Sequence, residues 1–240
     1  GAPRTFPLRI ASTPAADAAL RLAEGGPFAL LIPGAGWPNK EWGAERFGAL
    51  AAAMKARRGW TPIVTWGPTE RALAGEVVRA SNGSALLAPA TGVADLAALA
   101  PAATVVVGGD TGPLHLCEAA GGRVVCILGP TDPARNGPAF PRSDFVSRYP
   151  GCACRYARSC RRATGCLATI GVDEVLGEVF RVLQLAAHEV PAGDLHLATP
   201  DVFVQRHVEL LDEVRPVALD EPRHVLAEML ARFRDEVADA

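Results

Sequence analysis

Two glycine-bearing loops place charged side chains where an apolar run gives way to a helix. In one of them, Asp110-Thr-Gly-Pro-Leu-His115 follows the apolar run Thr104–Val107. Amides at a helix start attract anions, and glycines let a phosphate approach the backbone. Thr111 adds a hydroxyl donor, Pro113 suits the first helical position, and Asp110 can accept hydrogen bonds from ligand hydroxyls. The segment is therefore a candidate pyrophosphate cradle, or else Asp110 and Thr111 only cap a helix.

The other loop, Gly34-Ala-Gly-Trp-Pro-Asn-Lys-Glu-Trp42, follows the apolar run Phe28–Ile32 and contains a cation, Lys40. A carboxylate such as Asp110 can lie beside a phosphate only if a cation balances the local charge. An ammonium group against a diphosphate stabilises a departing phosphate, whereas a lone loop lysine is usually just solvated. The loop lacks the spacing of a P-loop, which disfavours nucleoside triphosphate hydrolysis.

Short apolar runs alternate with helical stretches along most of the chain, which is typical of βαβ units around a parallel sheet. The predicted strands are Phe28–Ile32, Pro62–Thr65, Ser84–Leu87, Thr104–Val107 and Arg123–Leu128. The predicted helices are Glu45–Arg57, Thr69–Arg79, Val93–Leu99, Pro113–Ala120 and Asp173–Ala187. The stretch from Gly129 to Gly171 has little periodicity and is predicted to be a long loop. We therefore expect an α/β, Rossmann-like parallel sheet with helices on both faces, and ligands at the carboxyl ends of its strands.

Composition excludes several classes of protein. The chain has 240 residues, with 24 Lys and Arg against 26 Asp and Glu, and a formal net charge of −2. Nucleic-acid binding needs an excess of clustered cations, so we expect no nucleic-acid partner. No apolar run approaches the ~20 residues of a membrane span, and no signal peptide is apparent. Six cysteines are too few for a disulfide-dense secreted module, so reduced thiols and a cytoplasmic location are expected.

Three motifs in this order, Lys40-Glu-Trp42, Asp110-Thr-Gly-Pro-Leu-His115 and Gly129-Pro-Thr-Asp-Pro133, resemble those of a known enzyme family. The family is the ADP-heptose:lipopolysaccharide heptosyltransferases, glycosyltransferase family 9, and the likeness covers roughly Arg4 to Leu185. It implies the donor-binding half of a GT-B enzyme, in which two Rossmann-like domains face each other across a cleft. The implied reaction transfers a heptose from ADP-heptose, with inversion, to a lipopolysaccharide-type or other anchored acceptor. No cofactor and no catalytic metal ion are required, and a peripheral position at the inner face of the membrane is possible.

The resemblance also implies roles for the residues of the two loops. Lys40 neutralises the diphosphate, and the helix start Thr111–Pro113, with the Gly112 amide, holds a phosphate. Asp110 binds the sugar hydroxyls, so that Lys40 and Asp110 are the catalytic residues. His115 supports that site, or else is a packed helix residue.

Further donor contacts are implied away from this pair. Glu70 matches the acid that binds the adenosine ribose, and Thr91 falls where the family places an adenine contact. Each has a structural alternative, because Glu70 could be a first-turn helix acid and Thr91 an N-cap. Some relatives place hydroxyl residues where this chain has Gly34, Ala35 and Gly36, so glycine amides are expected to replace side-chain donors here.

We divide the chain into residues 1–27 as an interdomain linker, 28–187 as the donor-binding domain and 188–240 as a helical C-terminal extension. In the extension, the spacing of Val225, Met229, Phe233 and Val237 predicts an amphipathic helix from Pro222 to Val237, for docking or for a partner. The family's acceptor-binding N-terminal domain, which supplies an aspartate as general base, has no counterpart by motif. The chain is then expected to be a fragment, a domain completed by another polypeptide, or a member whose extension rebuilds the acceptor side. The alternative function is a nucleotide-sugar-binding domain that is not catalytic on its own.

A cysteine-bearing stretch is the remaining candidate site. Its four thiols, which fall within fifteen residues, are Cys152, Cys154, Cys160 and Cys166. Four close thiols can hold zinc or iron, but zinc sites usually begin C-x₂₋₄-C, whereas the first pair here is C-x-C. The alternative is a loop of reduced thiols partly buried against the domain. The arginines among them, Arg155, Arg158, Arg161 and Arg162, form either a basic loop for an anionic acceptor or membrane headgroups, or a solvated surface.

Overall fold

The computed structural model describes residues 11–139, 143–160 and 165–189. These residues form one six-stranded parallel sheet in the order β3-β2-β1-β4-β5-β6. The strands are β1 (Phe28–Ile32), β2 (Thr61–Val64), β3 (Leu86–Leu87), β4 (Val105–Gly109), β5 (Val124–Leu128) and β6 (Asp144–Ser147). The helices are α1 (Pro14–Arg21), α2 (Ala44–Arg58), α3 (Arg71–Ala80), α4 (Val93–Leu99), α5 (Gly112–Ala119), α6 (Pro133–Asn136) and α7 (Val172–Glu189). The predicted α/β, Rossmann-like class is confirmed.

Both faces of the sheet are covered by helices. Alternate residues of β1 enter two separate buried clusters, with Leu31 in one and Leu30 in the other. The first cluster includes side chains from α2, α3 and α7, and the second includes side chains from α1, α4 and α5. A central strand buried on both sides has no polar face, which is why its sequence is a continuous apolar run.

The structure differs from the sequence prediction in two places. Residues 14–21, within the predicted linker, form α1, whose Ala16 and Ala19 are buried in the second cluster. The predicted long loop between Gly129 and Gly171 contains α6 and the edge strand β6. Strand β6 has only four residues, of which Val146 alone is buried, so it carries too short a pattern for a strand to be predicted.

The helices that were predicted lie within a few residues of their expected ends. Helix α2 begins one residue earlier than expected and ends at Arg58, and the next residue, Gly59, has a φ of 69°, the left-handed conformation that glycine favours at a helix C-terminus. The predicted amphipathic helix Pro222–Val237, and the extension beyond Glu189, lie outside the described residues. No helix in the described part of the chain is long and apolar enough to cross a bilayer.

Trp42 fixes the chain that follows the Lys40 loop. Its ring is 1% exposed and packs edge-on against Phe47, with 5.1 Å between ring centroids. The indole N–H donates to the Ile170 carbonyl oxygen at 3.0 Å, just before α7 begins. Arg46 adds hydrogen bonds to the carbonyl oxygens of Trp42 and Ala168, at 3.0 and 3.1 Å. The start of α2 is thereby attached to the start of α7.

Trp42→Phe should remove the hydrogen bond to Ile170 and leave a buried carbonyl without its donor. Trp60→Phe is the matched control, because Trp60 is also buried but its indole makes no hydrogen bond to another described residue. We expect Trp42→Phe to lower the free energy of unfolding by about 1–3 kcal/mol more than Trp60→Phe, measured by urea denaturation. Equal losses for the two variants would contradict the anchoring role.

Candidate active site

The site lies where the strand order reverses direction along the chain. Strands β1 and β4 are neighbours, with Ile32 opposite Gly108, and both are parallel. The chain leaves β1 toward β2 on one side and leaves β4 toward β5 on the other. The loops after β1 and β4 therefore flank a crevice at the carboxyl edge of the sheet, which is where open α/β sheets bind ligands. These are the two loops that carry Lys40 and Asp110.

Lys40 and Asp110 form a buried ion pair across this crevice. Lys40 Nζ lies 2.8 Å from Asp110 Oδ2 and 3.3 Å from the Asp110 carbonyl oxygen. The side chains are 14% and 5% exposed. The other carboxylate oxygen, Oδ1, lies 3.1 Å from His115 Nε2. An ionised carboxylate only accepts hydrogen bonds, so this contact requires the proton of His115 to be on Nε2.

The partners of Asp110 keep it ionised. Burial by itself disfavours the charged form, but the hydrogen bond from His115 and the charge and hydrogen bond of Lys40 outweigh it. The net effect is a pKa of Asp110 below the usual value of 3.8. Asp110 is therefore a fixed negative charge at neutral pH, with Lys40 and His115 oriented by it.

Gly109 makes room for the turn that carries Lys40. Lys40 ends the 3₁₀ turn Pro38–Lys40, and a Cβ added to Gly109 would lie 2.8 Å from the Lys40 carbonyl oxygen. Real Cβ atoms essentially never approach an oxygen so closely, so a side chain here would push the turn away from β4. The sequence analysis does not single out this glycine. The sequence signal for this close contact is the pair Gly108-Gly109 directly before Asp110.

The Thr111 hydroxyl does not cap helix α5. Thr111 occupies the N-cap position of α5, but its side chain makes no capping hydrogen bond. Its Oγ1 atom is buried, and no described residue supplies it with a hydrogen-bond partner. The alternative in which Thr111 caps the helix is therefore wrong for its side chain. Helix α5 begins at Gly112, so Pro113 lies at the second helical position and not at the first.

Glu70 lies against the loop that follows β1. Its carboxylate accepts a hydrogen bond from the Gly67 amide at 3.0 Å. A Cβ on Gly34 would come within 2.1 to 2.3 Å of the same carboxylate, so only glycine leaves space for it. Glu70 is the N-cap residue of α3 and its side chain does not cap the helix. The structure thus brings together Gly34 and Glu70, while Gly36 next in the loop has open space around its Cα.

Thr91 follows β3, two strands away from β1. The N-cap of α4 is Gly92, and the Asp95 carboxylate accepts from its amide at 2.6 Å, so the alternative in which Thr91 is the N-cap is wrong. Thr91 Oγ1 is buried and has no partner among the residues described. Sequence analysis did not single out Trp66, which follows β2 and whose indole N–H donates to the Ala88 carbonyl oxygen, just after β3, at 3.0 Å. Its signal was an aromatic side chain directly after a predicted strand.

The four cysteines of the 152–166 stretch lie together. Cys152, Cys154 and Cys166 are buried and Cys160 packs against them. The sulfur atoms of Cys154 and Cys160 are 3.7 Å apart, and those of Cys152 and Cys166 are 3.9 Å apart. Burial and the neighbouring thiols raise the pKa of Cys166 to about 11. No group of three or more His, Cys, Asp or Glu side chains in the described ranges is arranged to hold a metal ion.

The lowered pKa of Asp110 makes a specific prediction about acid stability. The ionised Asp110 contributes fully to the free energy of unfolding above pH 3.8, its usual pKa. This contribution is lost as the pH falls from 3.8 through the lower pKa of the folded state. The free energy of unfolding of Asp110→Asn should therefore approach that of the unmodified chain as the pH is lowered from 7 to 3. Urea denaturation at each pH measures the difference. A difference that stays constant over this range would contradict the assignment.

Comparison with known proteins places this geometry in a family. The family model described as Glycosyltransferase family 9 (heptosyltransferase) matches residues 4–164. Lipopolysaccharide heptosyltransferase 1 of Pseudomonas aeruginosa is 32% identical over 133 residues, which are 54% of this chain and 37% of that protein.

Solved structures share the fold. Escherichia coli ADP-heptose LPS heptosyltransferase II superposes with a TM-score of 0.59 at 18% identity, covering 74% of this chain and 53% of that one. A family 9 glycosyl transferase of Veillonella parvula superposes with a TM-score of 0.62 at 20% identity, covering 72% of this chain and 52% of that one. E. coli heptosyltransferase WaaC with ADP superposes with a TM-score of 0.51 at 20% identity, covering 71% of this chain and 48% of that one. The chain spans between about a third and a half of the length of these relatives. Since the family model matches more than half of it, this chain belongs to glycosyltransferase family 9.

Proposed function

We propose that this chain is the donor-binding half of an inverting GT-B glycosyltransferase. Its donor is ADP-heptose, and the sugar passes to a lipopolysaccharide-type or other anchored acceptor at the inner face of the membrane. The observation that carries the proposal is the largely buried Lys40–Asp110 pair next to the Thr111 hydroxyl at the start of α5, for which the described residues supply no hydrogen-bond partner. A cation, a free hydroxyl and helix amides at one point are what a diphosphate needs. The names of the relatives, which are heptosyltransferases, support the choice of sugar.

The proposed reaction is a displacement at the anomeric carbon. An acceptor hydroxyl attacks that carbon and its proton passes to a general base supplied from outside the donor-binding half. The bond from the carbon to the diphosphate oxygen breaks, and ADP leaves with the bonding electrons. An ammonium group has three N–H donors, and Lys40 directs two toward Asp110, which leaves one for a diphosphate oxygen. Lys40 and the α5 amides then stabilise the charge that develops on the leaving group.

Asp110 has two parts in this scheme. It orients Lys40 through Oδ2, and its remaining lone pairs accept hydrogen bonds from the sugar hydroxyls. His115, which donates to Oδ1, is a positioning residue. Glu70 and Thr91 contact the ribose and the adenine, and Gly34 leaves the space in which the Glu70 carboxylate lies.

The second candidate function is a nucleotide-sugar-binding domain that is not catalytic on its own. It is favoured by one observation, which is that the chain spans only about half the length of the solved relatives. The general base that accepts the acceptor's proton then comes from a second domain or polypeptide. Binding of ADP without transfer of sugar would distinguish this function from the first.

Isothermal titration with ADP, GDP and UDP tests the donor site. We expect ADP to be preferred, and Lys40→Ala to weaken its binding by about tenfold to a hundredfold, because one charge-assisted hydrogen bond contributes about 1.5–3 kcal/mol. Lys55→Ala is the matched control, since Lys55 is exposed near the end of α2. If no nucleotide binds, or if the two lysine variants behave alike, the donor-site assignment is wrong.

A further inference from the structure

The turn formed by residues 154–160 packs on the turn that carries Lys40. The Asn39 side-chain amide donates to the Ala157 carbonyl oxygen. The Arg158 guanidinium lies 5.7 Å from the centre of the Trp37 ring, and Lys40 Nζ lies 4.4 Å from the same centre. Two cations therefore share one aromatic ring, and their separation cannot exceed the sum of these distances.

This turn is held on the opposite side as well. The Tyr156 amide donates to the Pro130 carbonyl oxygen at 2.9 Å, and its hydroxyl donates to Asn136 Oδ1 at 3.2 Å. The sulfur atoms of Cys154 and Cys160 lie 3.7 Å apart at the two ends of the turn. Arg158 is thus presented from a turn with contacts at both ends, between the loops that follow β1 and β5.

The charges around the Lys40–Asp110 pair leave the site short of positive charge. Asp110 already neutralises Lys40, and partial burial, together with the nearby negative charge of Glu70, raises the pKa of Glu41. A diphosphate adds further negative charge to this crevice. A second cation is needed to balance it.

Arg158 is a guanidinium whose contacts with the described residues leave it available to act as this cation. Arg46 donates to the carbonyl oxygens of Trp42 and Ala168, and Arg148 is paired with Glu174 at 2.6 Å. Arg158 is exposed and forms no ion pair with any residue in the ranges that the structure describes. Guanidinium groups stack on aromatic rings and bind phosphate oxygens through a planar fork of donors.

We propose that Arg158 is a second phosphate-binding residue of the donor site, and that it contacts the diphosphate from its position on Trp37. The inference rests on the proposed function. It gives the turn of residues 154–160 a part in donor binding, through the Arg158 guanidinium. It assigns Arg158 to the donor rather than to membrane headgroups, because Arg158 shares the Trp37 ring with Lys40.

Isothermal titration with ADP and with adenosine tests the assignment. Arg158→Ala should weaken ADP binding by about tenfold, as for the loss of one charge-assisted hydrogen bond, and leave adenosine binding unchanged. The ADP affinity of Arg158→Lys should lie between those of Arg158→Ala and the unmodified chain, because an ammonium keeps the charge but lacks the planar fork of donors. Arg155→Ala is the matched control on the same turn, since Arg155 stacks on Tyr149 at 4.8 Å, and it should leave both ligands unaffected.

Three results would overturn the inference. The first is ADP binding by Arg158→Ala that equals that of Arg155→Ala. The second is an equal loss of ADP and adenosine binding, which would indicate a general disturbance. The third is that Arg158→Ala binds ADP as the unmodified chain does but co-sediments less with phosphatidylglycerol vesicles, which would assign Arg158 to a membrane surface. Failure of the unmodified chain to bind ADP would overturn the proposed function itself, whereas a loss confined to Lys40→Ala would overturn only the role of Arg158.

Discussion

The buried ion pair between Lys40 and Asp110 is the interaction on which the crevice depends. Taking two charges out of water is costly, and their attraction repays the cost only when the geometry is good and the remaining hydrogen bonds are made. Here the second carboxylate oxygen has His115, and the lysine has a second acceptor in the Asp110 carbonyl oxygen. The pair therefore joins the loops after β1 and β4 at a defined distance.

Residues that lie far apart in the sequence help to position the loop that carries Lys40 against Asp110. Gly109 lets the backbone of the Lys40 turn lie against β4, and Trp42 attaches the following residues to the chain before α7. A largely buried pair of this kind adds little net stability compared with an apolar pair, so a requirement for a fixed cation explains it better than stability does. A cation held by a carboxylate, with one N–H donor to spare, is already in place when an anionic ligand arrives, so little reorganisation is needed.

The central strands were predictable because a parallel strand covered on both faces must be apolar throughout, as Phe28–Ile32 is. Edge strand β6 was not, because most of its residues face solvent or the loop. The candidate site residues could be proposed from sequence because a phosphate site needs glycines, a hydroxyl and a cation, and the structure brings Lys40, Asp110 and His115 into contact. Whether Thr111 and Thr91 cap helices could not be decided from sequence, since capping and ligand-binding threonines occupy the same position at a helix start.

The packing of the 154–160 turn on Trp37 was equally beyond sequence reasoning. That contact joins residues more than a hundred positions apart, as the hydrogen bond from Asn39 to Ala157 does. It depends on where β6 leaves the sheet, and β6 itself carried no recognisable pattern. Sequence analysis could therefore name the arginines of the loop but left open whether they bind an anion or are solvated. In the structure, Arg158 lies on the Trp37 ring that Lys40 also contacts, whereas Arg155 lies on Tyr149, and the proposed role of Arg158 rests on this difference.

A crystal structure of this chain with ADP tests the central claim most directly. The account predicts a diphosphate within hydrogen-bond distance of Lys40 Nζ and Thr111 Oγ1, at the start of α5, with the contact between Lys40 and Asp110 preserved. ADP bound elsewhere on the sheet edge would contradict it. So would a diphosphate in the crevice that leaves Lys40 and Thr111 without contact to any of its oxygens.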